Sequence, residues 1–174
     1  FFKKEGSENN TLRLYPTENG QISSKPIIKN IGQIITNHAD ILYYIDGNNR
    51  LIIHNLSTNT SEKIQKMTFN KDAIYVYGKK AYILADNKKG TYDIVEVDLV
   101  TGFARVVIDD VKEISSLNGS KMVYITEDKN NSYGRHIKIL NIEKMELVDL
   151  GTDKKSIEGF VDNYVVYTQE SPNQ

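Results

Sequence analysis

Cysteine and tryptophan are absent from the 174 residues, and proline occurs only three times. The lack of cysteine excludes disulfide staples, thiolate metal ligands and a cysteine nucleophile together. No apolar run reaches the roughly 18 residues that a spanning helix needs, and no intact signal peptide is present. Neither sign of charge dominates. With 22 Lys+Arg against 23 Asp+Glu the net charge is −1, so nothing favours nucleic acid or an anionic membrane as partner. Also missing are the Gly-x-Ser-x-Gly elbow, the phosphate loop and the dinucleotide fingerprint, which removes the signatures of serine hydrolases, nucleotidases and Rossmann enzymes. No cofactor is expected. What is present, 39% hydrophobic and 26% charged residues, is ordinary globular composition on a chain long enough to bury a core.

The chain repeats itself. Three segments carry a strand, an Asx residue and a tight turn: Leu51 to Asn59, Ile94 to Gly102 and Ile137 to Met145. Their Asx residues, Asn55, Asp98 and Asn141, are spaced 43 residues apart both times. A fourth copy, Leu12 to Gly20, has Tyr15-Pro16 in place of the Asx-Leu pair. An Asx side chain accepts a backbone N–H two residues on, and a terminal Gly or Asn tolerates positive φ, so each motif predicts a hairpin turn. Each then continues into a short strand, Glu62 to Ile64, Ala104 to Ile108 and Glu146 to Leu150.

Ahead of each motif the sequence places a nearly continuous apolar strand: Ile41 to Ile45, Ala73 to Tyr77, Lys121 to Ile125 and finally Asn163 to Tyr167. Strands without alternation are expected to be covered on both faces. Turn residues introduce each of them, and behind the turns lie Gly32 to Thr36, Met67 to Phe69, Glu113 to Leu117 and Ser156 to Val161. Four antiparallel strands in about 42 residues is the pattern of an all-β fold of β-propeller blades. Tyr43-Tyr44-Ile45-Asp46-Gly47, Leu51-Ile52-Ile53 and Asn55-Leu56 resemble the blades of low-density-lipoprotein-receptor-related propellers and their bacterial relatives, and are similar to TolB-like propeller blades. The receptor-type blade has a Trp in its inner strand where this chain has Tyr44, Tyr124 or valine, which separates it from the receptor-type ligands.

Residues 1–10 are expected to be a disordered or linker N-terminus. Half a blade follows at 11–30, complete blades at 31–66, 67–110 and 111–155, and half a blade at 156–174. Either the terminal halves join and close a small ring, or the three complete and two half-blades belong to a larger propeller; the larger ring is the expectation. A two-sheet sandwich does not explain the 43-residue recurrence.

Function is expected where loops vary. The connections between second and third strands differ between copies, and they supply the candidate binding residues Asp46, Asn48, Asn49, Arg50, Asp86, Lys88, Lys89, Tyr92, Asp128, Tyr133 and Arg135. Asp128, Asn130 and Ser132 partly match a Ca²⁺ loop, with Gly134 one position late and no closing Glu. His38, His54 and His136 show no metal spacing and read as packing or surface residues. The carboxylate pairs Glu96 with Asp93 and Asp109 with Asp110 carry no separation from sequence alone. The expected role is therefore a non-enzymatic binding or scaffolding propeller, exported or at a bacterial cell surface, with a protein or glycan partner. The alternatives are the propeller portion of a peptidase or glycan-active enzyme, or a sensor ectodomain behind a membrane anchor, the last suggested by Phe1-Phe2-Lys3-Lys4.

Overall fold

A computed structural model describes residues 2–5, 11–14, 28–64, 67–127, 135–151, 155–161 and 164–169. Among the described residues there are sixteen strands and no helix. In chain order they are β1 (Phe2–Glu5), β2 (Thr11–Leu14), β3 (Ile28–Lys29), β4 (Ile31–His38), β5 (Ile41–Asp46), β6 (Leu51–Asn55), β7 (Thr60–Ile64) and β8 (Thr68–Tyr77). They continue as β9 (Lys80–Asp86), β10 (Tyr92–Asp98), β11 (Ala104–Asn118), β12 (Lys121–Thr126), β13 (His136–Asn141), β14 (Glu146–Gly151), β15 (Lys155–Val161) and β16 (Tyr164–Gln169). Hydrogen-bonded neighbours follow chain order throughout: β1 to β3, β4 to β7, β8 to β14, and β15 with β16. No helix among the described residues is long and apolar enough to cross a membrane.

The repeat is visible in detail. Asn55 Oδ1 accepts the N–H groups of Ser57 and Thr58, Asp98 Oδ1 those of Val100 and Thr101, and Asn141 Oδ1 those of Glu143 and Lys144, all between 2.8 and 3.2 Å. The residue after each Asx donates its N–H to the preceding hairpin turn: Leu56 to Asp40 O, Leu99 to Lys79 O and Ile142 to Ser120 O. Both turns of a copy thus lie at one end of its sheet, as the strand pattern requires. Positive φ also recurs, at Ala39, Gly78 and Gly119 in the first turns and at Asn59, Gly102 and Met145 in the second. The pairing of β4 with β5 slips between Ile34 and Thr36, that of β11 with β12 between Ile114 and Ser116, and that of β15 with β16 between Ile157 and Gly159. These are bulges at one shared position of the repeat.

One expectation changes. Ala73 to Tyr77, expected as the doubly covered second strand of the middle copy, forms the C-terminal half of β8, the first strand, and Val76 is 44% exposed. The doubly covered strand is β9, where Ala81, Tyr82, Ile83, Leu84 and Ala85 are all buried. The hairpin Gly78-Lys79 sets this phase, because Gly78 is the residue with φ of +58°. The assumed turn at Asn70 to Asp72 is instead a local Asx bond inside β8, Asn70 Oδ1 accepting the N–H of Asp72. At the N-terminus Phe2 to Glu5 of β1 pair in register with Leu14 to Thr11. The boundary between residues 110 and 111 falls within β11, which pairs with β10 on one side and β12 on the other.

Two compact units are formed, residues 1–85 with 96–105 and residues 86–95 with 106–174. In the first, Leu42, Tyr44, Ile52, Ile28 and Ile31 form one buried cluster. In the second, Val123, Ile125 and Ile137 form another, with Phe160, Val165, Ile139 and Leu150 packed on it. Burying such a side chain contributes about 1.5–3 kcal/mol, and the second strands β5, β9 and β12 supply longer unbroken runs of buried side chains than their neighbours.

Candidate functional site

The loop from Asp46 to Arg50 is closed on itself. Asp46 is buried, its Oδ1 accepts the N–H groups of Asn48 and Arg50 at 2.9 Å, and its Oδ2 takes the Arg50 Nε–H at 2.7 Å. Burial alone would raise its pKa, but the Arg50 guanidinium and the two amides outweigh it and hold the carboxyl below the usual range. Asn49 adopts φ of +59°, donates to Asp46 O and accepts the Phe69 N–H through its carbonyl. Asn30 lies so close to Gly47 that a Cβ there would meet Asn30 Oδ1 at 2.1 Å. Of the four candidates in this loop, Asn48 is exposed and makes no side-chain bond within the loop's cap, whereas Asp46 and the half-exposed Arg50 serve the loop's own geometry.

The loop from Asp86 to Tyr92 is built differently. Asp86 Oδ1 caps the Lys88 N–H and Asn87 Oδ1 the Lys89 N–H, with positive φ at Lys88 and Gly90. Lys88 and Lys89 are exposed. The Asn87 amide is a hub: its Nδ2 donates to Thr91 Oγ1 at 2.8 Å and to Asp93 Oδ1 and Asp110 Oδ1 at 3.1 Å. Thr91 donates to Asp110 as well, and the Asp110 N–H reaches Asp93 Oδ1. Lys89 Nζ stands 3.8 Å from Asp110, and Lys112 Nζ 3.4 Å from Glu127. Lys89, Thr91, Asp110 and Glu127 line a groove of about 260 Å³. Tyr92 is partly buried beside it in sequence.

The groove occupies a position that is filled in the first copy. By strand register Asp110 corresponds to Asn30 and Glu127 to Gly47: Asn30 and Gly47 flank the Ile31–Asp46 pair of β4–β5 as Asp110 and Glu127 flank the Val111–Thr126 pair of β11–β12. Both Asn30 and Asp110 adopt positive φ. Where the amide of Asn30 covers a glycine, two carboxylates stand instead. In the third loop Arg135 pairs with Glu113 at 2.9 Å, while Asp128, Asn130, Ser132 and Tyr133 lie outside the described residues.

The acidic pairs divide. Asp93 belongs to the Asn87 hub, whereas Glu96 is buried and bound by Lys80, Tyr82 and Arg105 at 2.9 to 3.0 Å. Burial raises the Glu96 carboxyl, yet Lys80, Tyr82 and Arg105 together hold it low, and burial with the Glu96 charge pushes the Tyr82 phenol up. His136 faces Asp149, and His54 is buried beside Ser61. Among the described residues no group of three or more His, Asp or Glu is arranged to hold a metal ion. Asn87, Thr91, Asp93, Asp110 and Glu127 were not among the expected binding residues. The legible signal was the exchange of the Asn30–Gly47 pair for two acids at equivalent repeat positions.

No protein-family model matches the sequence, and no curated protein matches it. Solved structures do match. A puromycin-hydrolyzing peptidase of Mycobacterium tuberculosis aligns over 92% of this chain and 29% of its own, with TM-score 0.55 at 10% identity. An oligogalacturonate lyase in complex with manganese aligns over 87% and 44%, with TM-score 0.54 at 13% identity. The tricorn protease aligns over 86% and 16%, with TM-score 0.54 at 16% identity. The likeness is one of fold: all-β, antiparallel and of the propeller type. The chain spans less than half the length of each of these proteins. Its receptor-type resemblance rests on the quoted residues alone.

Proposed function

We infer that this segment is a binding or scaffolding module that contacts a protein or glycan partner through its variable loops. The observation that supports the reading is the groove of Lys89, Thr91, Asp110 and Glu127, a concavity bordered by charged and hydroxyl groups at the place where the first copy is closed by Asn30 against Gly47. Two acids and one lysine around a hydroxyl offer acceptors and donors side by side, which suits a partner with hydrogen-bonding groups. The reading assigns the module to the cell exterior. Peptide and glycan arrays probed with the wild-type chain and with the Lys89→Ala/Glu127→Gln variant test it. The variant is expected to lose the wild-type spots at unchanged melting temperature, while Arg50→Ala melts earlier and keeps them. Wild-type spots that survive in Lys89→Ala/Glu127→Gln would remove the groove from the role.

A second reading, the propeller portion of a larger peptidase or glycan-active enzyme, is favoured by the fold alignment with a peptidase of which the chain spans 29%. Activity of the complete coding sequence, with and without this segment, separates the two.

A further inference from the structure

Each carboxylate of the groove has an ammonium group of its own. Lys89 Nζ stands 3.8 Å from Asp110 Oδ1 and Lys112 Nζ 3.4 Å from Glu127 Oε1, and all four side chains are between 42 and 70% exposed. All belong to the second compact unit. Pairs this open to water are worth little and give way readily to a third group. Asp93, the third acid at this place, is engaged by the Asn87 amide and the Asp110 N–H. Two carboxylates against two ammonium groups leave no excess of either sign to draw in an ion. What remains is hydrogen-bonding capacity. Asp110 Oδ1 is bonded by Asn87 and Thr91, whereas Asp110 Oδ2 and Glu127 Oε2 take no bond from a described residue. An ammonium group has three donors, of which its carboxylate uses one.

Taking this groove as the module's binding site, we propose that it holds a single neutral sugar ring through adjacent hydroxyl groups. A hydroxyl both donates and accepts, so neighbouring hydroxyls give their hydrogens to Asp110 Oδ2 and Glu127 Oε2 and accept from Lys89. A charged peptide side chain gains no such match: an acid meets Asp110 and Glu127 beside Lys89, and a base meets Lys89 beside the two acids. The concavity of about 260 Å³ lies at the lower end of ligand sites, which run from about 300 Å³ upward, and suits one small ring rather than a stretch of peptide chain. Its floor is fixed in advance, because the Asn87 amide holds both Thr91 and Asp110. Among the described residues none of the lining groups is aromatic, so stacking adds nothing and a Kd on the order of 1 mM is expected.

The probes are methyl α-glucoside, methyl α-mannoside and methyl β-galactoside, titrated into the isotope-labelled 174-residue chain and followed by amide chemical shifts. At least one is expected to shift the amides of Thr91, Asp110 and Glu127 saturably, and Lys89→Ala/Glu127→Gln is expected to abolish those shifts at unchanged melting temperature. Glucuronic acid and glucosamine, which add one charge of either sign to the same ring, are expected to bind no tighter than the neutral glycosides. A charged sugar that binds at least tenfold tighter overturns the pairing of charges, and with it the neutral ligand. Capped tripeptides with a central Lys or Glu are titrated in parallel. Shifts of these three amides by a peptide and by no glycoside overturn the sugar while keeping the groove as a binding site. Silence of the three amides toward every probe, or glycoside shifts that survive in Lys89→Ala/Glu127→Gln, overturns both.

Discussion

Tyr43 spans two copies of the repeat: its hydroxyl donates to the carbonyl of Leu99, 56 residues away, at 2.8 Å and in a buried setting. Leu99 is the residue after Asp98, so the bond ties a doubly covered strand of one copy to the Asx turn of the next. Tyr43→Phe keeps the ring and removes the donor, leaving a buried carbonyl short of a partner. A loss of about 1–2 kcal/mol is expected in urea unfolding, without change in the slope. A variant as stable as the wild type would show that the bond contributes nothing net.

Glu96 occupies the position that Ile53 and Ile139 hold in the other copies, and it recruits three partners to stay charged there. Lys80 and Arg105 are partly exposed and can return to water, but the Tyr82 hydroxyl is buried and cannot. Glu96→Ile is therefore expected to cost about 1–3 kcal/mol, mainly through the stranded hydroxyl. Adding Tyr82→Phe should restore part of that loss. Additive losses in the double variant, measured by the same unfolding curves, would contradict the account.

Most of the repeat could be read from the chain because its markers are local. Asx residues at a fixed interval set the turns, and apolar runs set the buried strands. The middle copy was misphased for an equally local reason: Ile74-Tyr75-Val76-Tyr77 has stronger β-propensity than the alanine-flanked β9, although β9 holds the buried place. Propensity scores a residue's fit to a pleated surface, whereas burial here is decided by the hairpin at Gly78. Of the groove only the exchange of Asn30 and Gly47 for Asp110 and Glu127 was legible; its joining of Asp110 to Thr91 through Asn87 was not, because the Asn87 amide gives no sign in sequence of which acceptors it meets. Likewise, the exposed-looking charges of Asp46 and Arg50 turned out to be each other's partners.

Ala39 has φ of +49° where the two equivalent turns use Gly78 and Gly119, and Met145 has φ of +56° where another copy uses Gly102. A side chain in this region is strained by about 1–2 kcal/mol, while glycine adopts it freely at some cost in unfolded-state entropy. Ala39→Gly and Met145→Gly are each expected to stabilise by about 0.5–1 kcal/mol, and to add, because their turns are independent. The melting temperature reports both. Destabilisation by either substitution would mean that the turn is not under strain.

His54 supplies the pH dependence. Its Nδ1 meets Ser61 Oγ at 2.7 Å, its Nε2 is buried with no partner among the described residues, and the ring lies opposite Leu42 in the β5–β6 pairing. Burial pushes the imidazole pKa below its ordinary value of 6.5. The unfolded chain therefore takes up a proton near pH 6.5 that the folded chain refuses. The stability due to neutral His54 is complete above that pH and declines as the pH falls toward the folded value, by at most about 1.4 kcal/mol per unit. Asp46 and Glu96 are held below the usual carboxylate range, so their contributions disappear only at more acid pH. Urea midpoints at pH 7.5, 6.5 and 5.5 should fall in the wild type and fall less steeply in His54→Gln. The comparison is between slopes, so a general weakening of the variant does not obscure it. Parallel slopes would assign the acid sensitivity to other groups.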